Sequence, residues 1–300
     1  MLDSMDRTGY LAPEGLEEAL QGELKGILFR QGRLFVAEGP PQRVHWAQNV
    51  WLEPETIHFS SIKDAASKLR ALHGLWAYYP HVSVRRGELI AQNLPYFSPK
   101  PLPFPSPLPI TPLGSWTLLD DNTLFCSPRC TSPFANGEIA FVETKEPPSR
   151  AYLKLWEFFT RTGRRPKKGD VCLELGASPG SWTWALHQCG AEVIAVDRAA
   201  LAPKVSCLPG VSFQKGDAFS LGPEDCKGVT WVFSDLVCYP ERLFEWIQPW
   251  LKKDVNLVCT LKFQGKNEHE IIEKFEQIEG SSILRLYHNK HELTWCRFIL

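Results

Sequence analysis

The sequence predicts an α/β protein in which a mainly parallel β-sheet with crossover helices follows a smaller α+β domain. From residue 149 onward, short apolar runs alternate with stretches of helical periodicity, a pattern typical of parallel sheets. The residues before position 95 mix helix and strand signals. Between the two regions lies Pro95–Pro112, where eight of eighteen residues are proline. Because proline lacks a backbone N–H and fixes φ, this stretch can be neither a helix nor a central strand.

These patterns divide the chain into three expected regions. Residues 1–94 should form a small α+β domain. Residues 95–145 should form a proline-rich connector and a β-hairpin. Residues 146–300 should form the α/β domain.

The two N-terminal regions show few regular elements. Helical periodicity covers Pro13–Leu24 and Ser60–Trp76, and Arg33–Ala37 alternates like a strand. The two strands of the hairpin are expected at Trp116–Leu119 and Ile139–Val142.

The C-terminal region alternates regularly between the two element types. The predicted strands are Asp170–Leu175, Glu192–Val196, Trp231–Ser234, Asn256–Leu261 and Thr294–Ile299. The predicted helices are Arg150–Thr160, Trp182–Cys189, Pro240–Leu251 and Asn267–Glu279.

Composition limits the possible partners and compartments. The net charge is −1, so binding to a nucleic acid would depend on local basic patches. No apolar run approaches the roughly 20 residues that span a bilayer, and the polar N-terminus does not resemble a secretory signal. The nine cysteines are scattered, and Cys126 and Cys130 lack a second Cys/His pair at zinc-ligand spacing. We therefore expect a cytoplasmic protein with reduced thiols, without a structural metal and without a membrane segment.

One turn between a buried strand and a helix is the candidate ligand site. The segment Glu174–Trp182 contains Gly176 and Gly180, which allow a ligand to approach the backbone closely. Open α/β sheets bind ligands beyond the carboxyl ends of their strands. The next strand ends at Asp197, whose carboxylate can accept hydrogen bonds from the ribose hydroxyls of an adenosine ligand. The G-x-G-x-x-G spacing is absent, which disfavours NAD.

The same turn also matches the G-x-S-x-G nucleophile elbow of α/β-hydrolases. In that interpretation Ser178 would be the nucleophile, with Asp235 and either His288 or His291 as partners. The oxyanion hole of such an elbow uses the N–H of the residue after the serine. Here that residue is Pro179, which has no N–H, so a hydrolase is disfavoured. A purely structural tight turn is the third interpretation.

The sequence LELGASPGSWTWAL, with VIAVD after it, resembles the first motif of the FtsJ-type RNA ribose 2′-O-methyltransferases. That motif typically reads D-L-G-x-x-P-G-G-W. Glu174 stands at the position of its aspartate, and Ser181 at its second glycine. The resemblance implies a Rossmann-like S-adenosylmethionine (SAM) dependent methyltransferase domain.

Four further segments resemble the same family, namely SRAYLKLWEFF, FSDLV, CTLKF and LYHNKHELT. They place the catalytic Lys-Asp-Lys-Glu set of the family at Lys154, Asp235, Lys262 and Glu292. By this resemblance Lys262 would be the general base that removes the proton of a ribose 2′-hydroxyl, while Asp235 and Glu292 orient it. Lysine is normally protonated at neutral pH, and Lys154 and partial burial are expected to disfavour the charge on Lys262. This chemistry requires no metal.

The resemblance also implies a set of cofactor contacts. The backbone of Gly176–Ser181 would face the methionine part of SAM, Asp197 its ribose and Asp217 its adenine. Trp182 is expected either to line this pocket or to belong to the core. The complete predicted set is Gly176, Ala177, Ser178, Pro179, Gly180, Ser181, Trp182, Asp197, Asp217 and Asp235.

Within the family, the resemblance is closest to bacterial members that methylate a cytidine of 23S ribosomal RNA. The start GYLAPEGLEEAL resembles their N-terminal ferredoxin-like domain, and residues 95–145 would be a reduced THUMP-like region. RNA, in particular large-subunit ribosomal RNA, is therefore the expected partner. An RNA-binding protein that has this fold but no activity is the alternative.

A local basic patch could supply the phosphate contacts of such a partner. A solvated helix end and loop would explain the same charges. The patch consists of Arg150, Lys154, Arg161, Arg164, Arg165, Lys167 and Lys168, against the single acid Glu157.

Overall fold

The computed structural model describes residues 6–97, 100–263 and 268–299. The chain divides into two compact units. The first unit comprises Met1–Pro103 and Leu108–Phe141, and the second comprises Phe104–Pro107 and Val142–Leu300.

The first unit begins with a four-stranded antiparallel sheet whose strand order is β2-β3-β1-β4. Its strands are β1 (Arg7–Leu11), β2 (Ile27–Gln31), β3 (Leu34–Glu38) and β4 (Asn49–Trp51), and helix α1 (Glu17–Glu23) follows β1. Leu11, Leu34 and Trp51 are fully buried in the core beside this sheet. The predicted helix at Pro13–Leu24 and the predicted strand at Arg33–Ala37 correspond to α1 and β3.

The second sheet of this unit has the order β5-β8-β7-β6. Its strands are β5 (Glu55–His58), β6 (Trp76–Tyr78), β7 (Gly114–Asp120) and β8 (Thr123–Ser127). Two helices accompany it, α2 (Ile62–Leu72) and α3 (Val84–Ala91). Ser61 begins α2, because its side chain accepts a hydrogen bond from the Asp64 backbone N–H.

The predicted partner strand at Ile139–Val142 is wrong. The chain reverses at Asp121 and Asn122, and β8 pairs with β7 directly. An acidic residue and an asparagine between two apolar runs form a hairpin turn readily, and this signal was overlooked. Phe141 makes only an isolated bridge, with Leu102.

The second unit is an α/β domain around a seven-stranded sheet of order β11-β10-β9-β12-β13-β15-β14. The pairs β11-β10, β10-β9, β9-β12 and β12-β13 are parallel, whereas β15 is antiparallel to both of its neighbours. The strands are β9 (Val171–Leu175), β10 (Glu192–Asp197), β11 (Val211–Lys215), β12 (Trp231–Ser234), β13 (Asn256–Lys262), β14 (Ser281–Leu284) and β15 (Glu292–Arg297). The predicted α/β class with a mainly parallel sheet is confirmed.

The helices of this unit are α4 (Tyr152–Thr162), α5 (Ser181–Gln188), α6 (Pro203–Ser206), α7 (Pro240–Ile247) and α8 (Glu268–Glu276). Helix α4 ends at Gly163, which adopts a φ of 66° that glycine accepts without strain. Helix α7 begins with proline, whose fixed φ suits the first helical position. The predicted start of the last helix, Asn267, lies outside the described residues.

Two strands of the second unit were not predicted, β11 and β14. Both lie at the edges of the sheet, and their residues are half-buried or exposed. A strand with one neighbour and partial burial lacks the continuous apolar run that marks a central strand.

The strand order creates the place for a ligand. The chain leaves β9 towards β10 on one side and later returns to β12 on the other. Such a reversal opens a crevice at the carboxyl ends of the two strands. The turn after Leu175 and the residues after Ser234 therefore lie side by side, and the Asp235 backbone N–H donates to the Leu175 carbonyl at 3.2 Å.

Within the described ranges, none of the helices combines the length and the apolar character that crossing a membrane requires.

Helix α2 offers a matched test of the first unit. Leu69 is fully buried and Leu72 is 38% exposed on the same helix. We expect Leu69→Ala to lower the free energy of unfolding by about 2–5 kcal/mol, because it removes packed methyl groups and leaves a cavity. Leu72→Ala should cost less than about 1 kcal/mol. Urea titration read by hydrogen exchange at amides of this unit measures both. Equal losses would contradict the described packing of α2.

Candidate active site

The four residues of the predicted catalytic set meet in one cluster. Lys154 comes from α4, Asp235 follows β12, and Lys262 and Glu292 are paired neighbours on β13 and β15. The Lys154 Nζ lies 2.5 Å from Glu292 Oε1 and 3.3 Å from Asp235 Oδ2. The Lys262 Nζ lies 2.9 Å from Asp235 Oδ1. Asp235 thus bridges the two lysines.

Lys154 is the enclosed cation of this cluster. Burial by itself lowers the pKa of Lys154, but the charges and hydrogen bonds of Asp235 and Glu292 outweigh it, so that the pKa lies above its ordinary value. Two carboxylates therefore compensate its positive charge.

Lys262 is held at two points. Its ammonium donates to the Asp235 carboxylate and, at 2.7 Å, to the Asp235 backbone carbonyl. An ammonium has three N–H donors, so one remains after these two bonds. Lys262 also lines the adjoining cavity, where that donor can meet a substrate.

The cavity has a volume of about 480 Å³, within the roughly 300–1,000 Å³ of small-molecule sites. Six predicted residues line it, namely Gly176, Ser178, Asp197, Asp217, Asp235 and Lys262. It therefore joins the glycine turn to the catalytic cluster.

The glycine turn and Asp197 fit an adenosine ligand. Gly176 has a φ of +79°, and a Cβ there would lie 3.2 Å from the Leu236 backbone, so only glycine fits without strain. The Asp197 carboxylate accepts hydrogen bonds from the backbone N–H groups of Ser178 (3.0 Å) and Ala199 (2.8 Å). Each oxygen has a second lone pair, so the carboxylate can still accept from ribose hydroxyls.

The side chains of Ser181 and Trp182 hold the start of α4. The Ser181 Oγ accepts from the Ser149 backbone N–H at 2.9 Å and lies 3.1 Å from the Ser149 carbonyl. The Trp182 indole donates to the Ala151 carbonyl at 2.9 Å, and its ring is buried. These bonds tie the glycine turn to the helix that carries Lys154.

Five members of the predicted cofactor set do not line the described part of the cavity. They are Ala177, Pro179, Gly180, Ser181 and Trp182. The cofactor contacts assigned to them stay predictions.

Several residues that line the cavity were not predicted from the sequence. Arg198 lies 2.6 Å from Asp217, and Arg242 stacks over the Phe219 ring at 3.9 Å from its centroid. The first arginine directly follows Asp197, a signal that could have been used. The other contact joins residues far apart in the sequence, which no local pattern indicates.

The hydrolase interpretation is wrong. The Ser178 hydroxyl donates to the Ala200 carbonyl at 3.0 Å. Asp235 is engaged by the two lysines, and the His288 ring pairs with Glu157 at 2.8 Å. Asp235 and His288 thus serve other contacts, and the ring of His291 lies beside Phe263, with 6.3 Å between centroids.

Much of the predicted basic patch is engaged within the protein. Arg150 binds Glu143 through two bonds of 2.7 and 2.8 Å. Arg161 lies 3.4 Å from Glu157, and Lys154 is enclosed in the catalytic cluster. A contact of this patch with RNA phosphates stays a prediction.

Glu174, beneath the glycine turn, is a buried acid. Its Oε2 accepts a hydrogen bond from the Thr183 hydroxyl at 2.6 Å. Burial raises the pKa of Glu174 to about 8, and the nearby charges of Asp235 and Asp197 add to the rise. The carboxyl is therefore protonated near neutral pH.

A second buried acid, Glu157, holds the segment that leads to Glu292. It lies three residues after Lys154 on α4 and accepts from the backbone N–H groups of Tyr287 (2.8 Å) and His288 (3.0 Å). Burial alone would raise the pKa of Glu157, but the hydrogen bond and charge of His288 outweigh it and lower the pKa. The helix that carries Lys154 is thus fixed to the loop before Glu292.

Replacing Glu174 should change how stability depends on pH. Because its folded-state pKa is raised, its contribution to stability is present below the ordinary pKa and is lost as pH rises to about 8. We expect the stability of Glu174→Gln relative to wild type to rise between pH 5 and pH 9, by up to roughly 4 kcal/mol. Urea unfolding across this range measures it. Glu192→Gln, on the neighbouring strand and exposed, is the control and should give a flat difference.

Replacing Glu157 should loosen the loop before Glu292. In Glu157→Gln one of the two backbone N–H groups loses its acceptor, and we expect a loss of about 1–3 kcal/mol. Because the pKa of Glu157 is lowered, its stabilisation is complete above the ordinary pKa and is lost as pH falls through the lowered value. Hydrogen exchange at Tyr287 and His288 measures the loosening. Unchanged protection there would contradict this role, with the exposed Glu245→Gln on α7 as control.

Comparison with known proteins agrees with this geometry. Residues 147–279 match the family model of the FtsJ-like methyltransferases. A ribosomal RNA large subunit methyltransferase M from Halorhodospira halophila is 32% identical over 157 residues, which are 49% of this chain and 46% of that protein. A protein of the same name from Xylella fastidiosa is 31% identical over 195 residues, 59% of this chain and 55% of that protein.

The chain thus spans about half the length of the curated relatives it matches. A solved TehB-like SAM-dependent methyltransferase from Corynebacterium glutamicum aligns with 50% of this chain and 96% of its own at 15% identity and a TM-score of 0.32, which is too low to support a conclusion. The family match covers α4, the glycine turn, Asp235 and Lys262. Residues 147–279 of this chain are therefore similar to the FtsJ-like methyltransferases.

Proposed function

We propose that this chain transfers a methyl group from SAM to a ribose 2′-hydroxyl of RNA, and that its substrate is a cytidine of large-subunit (23S) ribosomal RNA. The observation that carries the proposal is the assembly of Lys154, Asp235, Lys262 and Glu292 in one ion-paired cluster. The cluster adjoins a cavity whose glycine turn and Asp197 suit an adenosine.

The residues around the cavity fit SAM. Asp197 would hold its ribose and Asp217 its adenine, while Gly176 and the turn after it would lie against the methionine part. SAM, when bound, supplies an electrophilic methyl group.

The residues of the catalytic cluster would deprotonate and orient the acceptor hydroxyl. Lys262, in its neutral form, would take the proton from the 2′-hydroxyl, because a free hydroxyl is a poor nucleophile. Asp235 holds the Lys262 side chain at two points. Lys154 stays charged between Asp235 and Glu292 and keeps both carboxylates in place. Holding hydroxyl and methyl group in line would supply much of the rate.

The names of the relatives support ribosomal RNA as the substrate class. We extend this to the chain as part of the proposal, together with a cytoplasmic location. The alternative is an RNA-binding protein without activity. The complete catalytic cluster favours an enzyme, since a chain released from catalysis has no need to keep four largely enclosed charges together.

Transfer of labelled methyl groups from SAM to ribosomal RNA tests the proposal. We expect wild type to place the label in alkali-stable dinucleotides, because a methylated 2′-oxygen cannot attack its own phosphate. Lys262→Met should lose roughly 100-fold or more of the transfer rate, as loss of a general base does.

The matched control is Lys274→Met, an exposed lysine of α8, which should keep full activity. Equal rates for Lys262→Met and wild type would overturn the catalytic assignment. A wild type that binds SAM and RNA but transfers no label would favour the inactive alternative. Failure of wild type to bind SAM would refute the proposal as a whole.

A further inference from the structure

The exposed apolar side chains of the second unit are not scattered. Among its described residues, four large apolar or aromatic side chains are substantially exposed, namely Val142 (56%), Val237 (79%), Tyr239 (63%) and Tyr287 (40%). Three of the four lie in segments next to the catalytic cluster, since Val237 and Tyr239 follow Asp235 and Tyr287 precedes Glu292. Single exposed apolar residues are ordinary, whereas a group around a cavity marks a binding surface.

Val237 and Tyr239 belong to the loop after β12. This loop begins with Asp235, and Val237 lines the same cavity as Asp235 and Lys262. Tyr239 precedes Pro240, and its carbonyl accepts from the first turn of α7. The backbone of Tyr239 is thus fixed between Val237 and Arg242, which both line the cavity, while its side chain is exposed.

Tyr287 lies in the loop that leads to Glu292. Its backbone N–H is bound by Glu157 at 2.8 Å, three residues after Lys154 on α4. Its ring packs edge-on to the His288 ring, with 5.3 Å between centroids. The exposed Arg150 lies close enough to Tyr287 for the two to interact electrostatically, so a positive charge accompanies the aromatic ring.

The side chains of this surface indicate which ligand it binds. Aromatic rings with polar edges and a nearby guanidinium suit nucleobases, which stack on such groups whatever their sequence. A ribose hydroxyl must also reach Lys262 inside the cavity. Bases can stack on aromatic side chains where they are not stacked on one another, as in the single-stranded loops, bulges and ends of RNA.

We propose that Tyr239 and Tyr287 stack against the bases next to the acceptor nucleotide, so that the substrate is unpaired RNA. The inference rests on the proposed function and extends it from a ribose hydroxyl to a strand conformation. Val237 provides the apolar edge over which the acceptor nucleotide enters the cavity.

Equilibrium binding without SAM tests the inference. The probes are a labelled single-stranded oligoribonucleotide of mixed sequence and a duplex of the same strand. We expect wild type to prefer the single strand. Tyr239→Ala and Tyr287→Ala should each weaken binding of the single strand by roughly 5- to 100-fold, whereas Tyr239→Phe and Tyr287→Phe should stay near wild type because the ring is kept.

Tyr96→Ala, an exposed tyrosine of the first unit, is the matched control and should bind like wild type. SAM affinity, unchanged in all variants, shows that the domain remains folded. Retained single-strand binding by both alanine variants would overturn the inference, as would an equal loss for the duplex. Sedimentation tests whether the surface binds a second copy of this chain instead. That would be the result if wild type self-associates, Tyr239→Ala does not, and the variant still binds RNA. The two proposals can fail separately. If the variants change RNA binding as expected but wild type transfers no methyl group, the proposed function is rejected and the proposed stacking surface is kept.

Discussion

The carboxylate of Asp235 is the interaction on which the site depends. It accepts from Lys262 at 2.9 Å and from Lys154 at 3.3 Å, and these lysines come from a strand and a helix far apart in the sequence. Burying such charges costs desolvation free energy that ion pairing offsets only in part. The cluster is therefore weak evidence for stability, and its retention is better explained by chemistry than by folding.

Two neighbouring contacts hold the residues of the cluster in position. Ser181 binds Ser149 at the start of α4, and Glu157 binds the backbone at Tyr287 and His288. The first contact fixes Lys154 relative to the glycine turn. The second fixes it relative to the loop that leads to Glu292. A shift of α4 would therefore disturb the cofactor side and the acceptor side together, which is how a positioned site maintains its alignment.

Much of the fold and of the site could be predicted from local sequence. Buried strands such as Trp231–Ser234 show continuous apolar runs, and the order of lysine, aspartate, lysine and glutamate was recognisable at Lys154, Asp235, Lys262 and Glu292. The edge strands β11 and β14 escaped prediction because partial burial leaves no clear pattern. The β7-β8 hairpin was misplaced because the turn at Asp121 and Asn122 was overlooked, although its residues carry the usual turn chemistry.

The sequence by itself determined the class of the domain and the glycine at position 176, and it predicted the four residues of the catalytic set, since each depends on residue type at a recognisable spacing. Only the tertiary structure decided which charges compensate one another, that Ser181 serves the helix of Lys154, and that Glu157 holds the loop before Glu292. It also brought Arg242 over Phe219 and left the side chains of Tyr239 and Tyr287 exposed. These relations join residues that are distant along the chain, and burial and pairing across such distances arise only when the sheet and its helices have packed together.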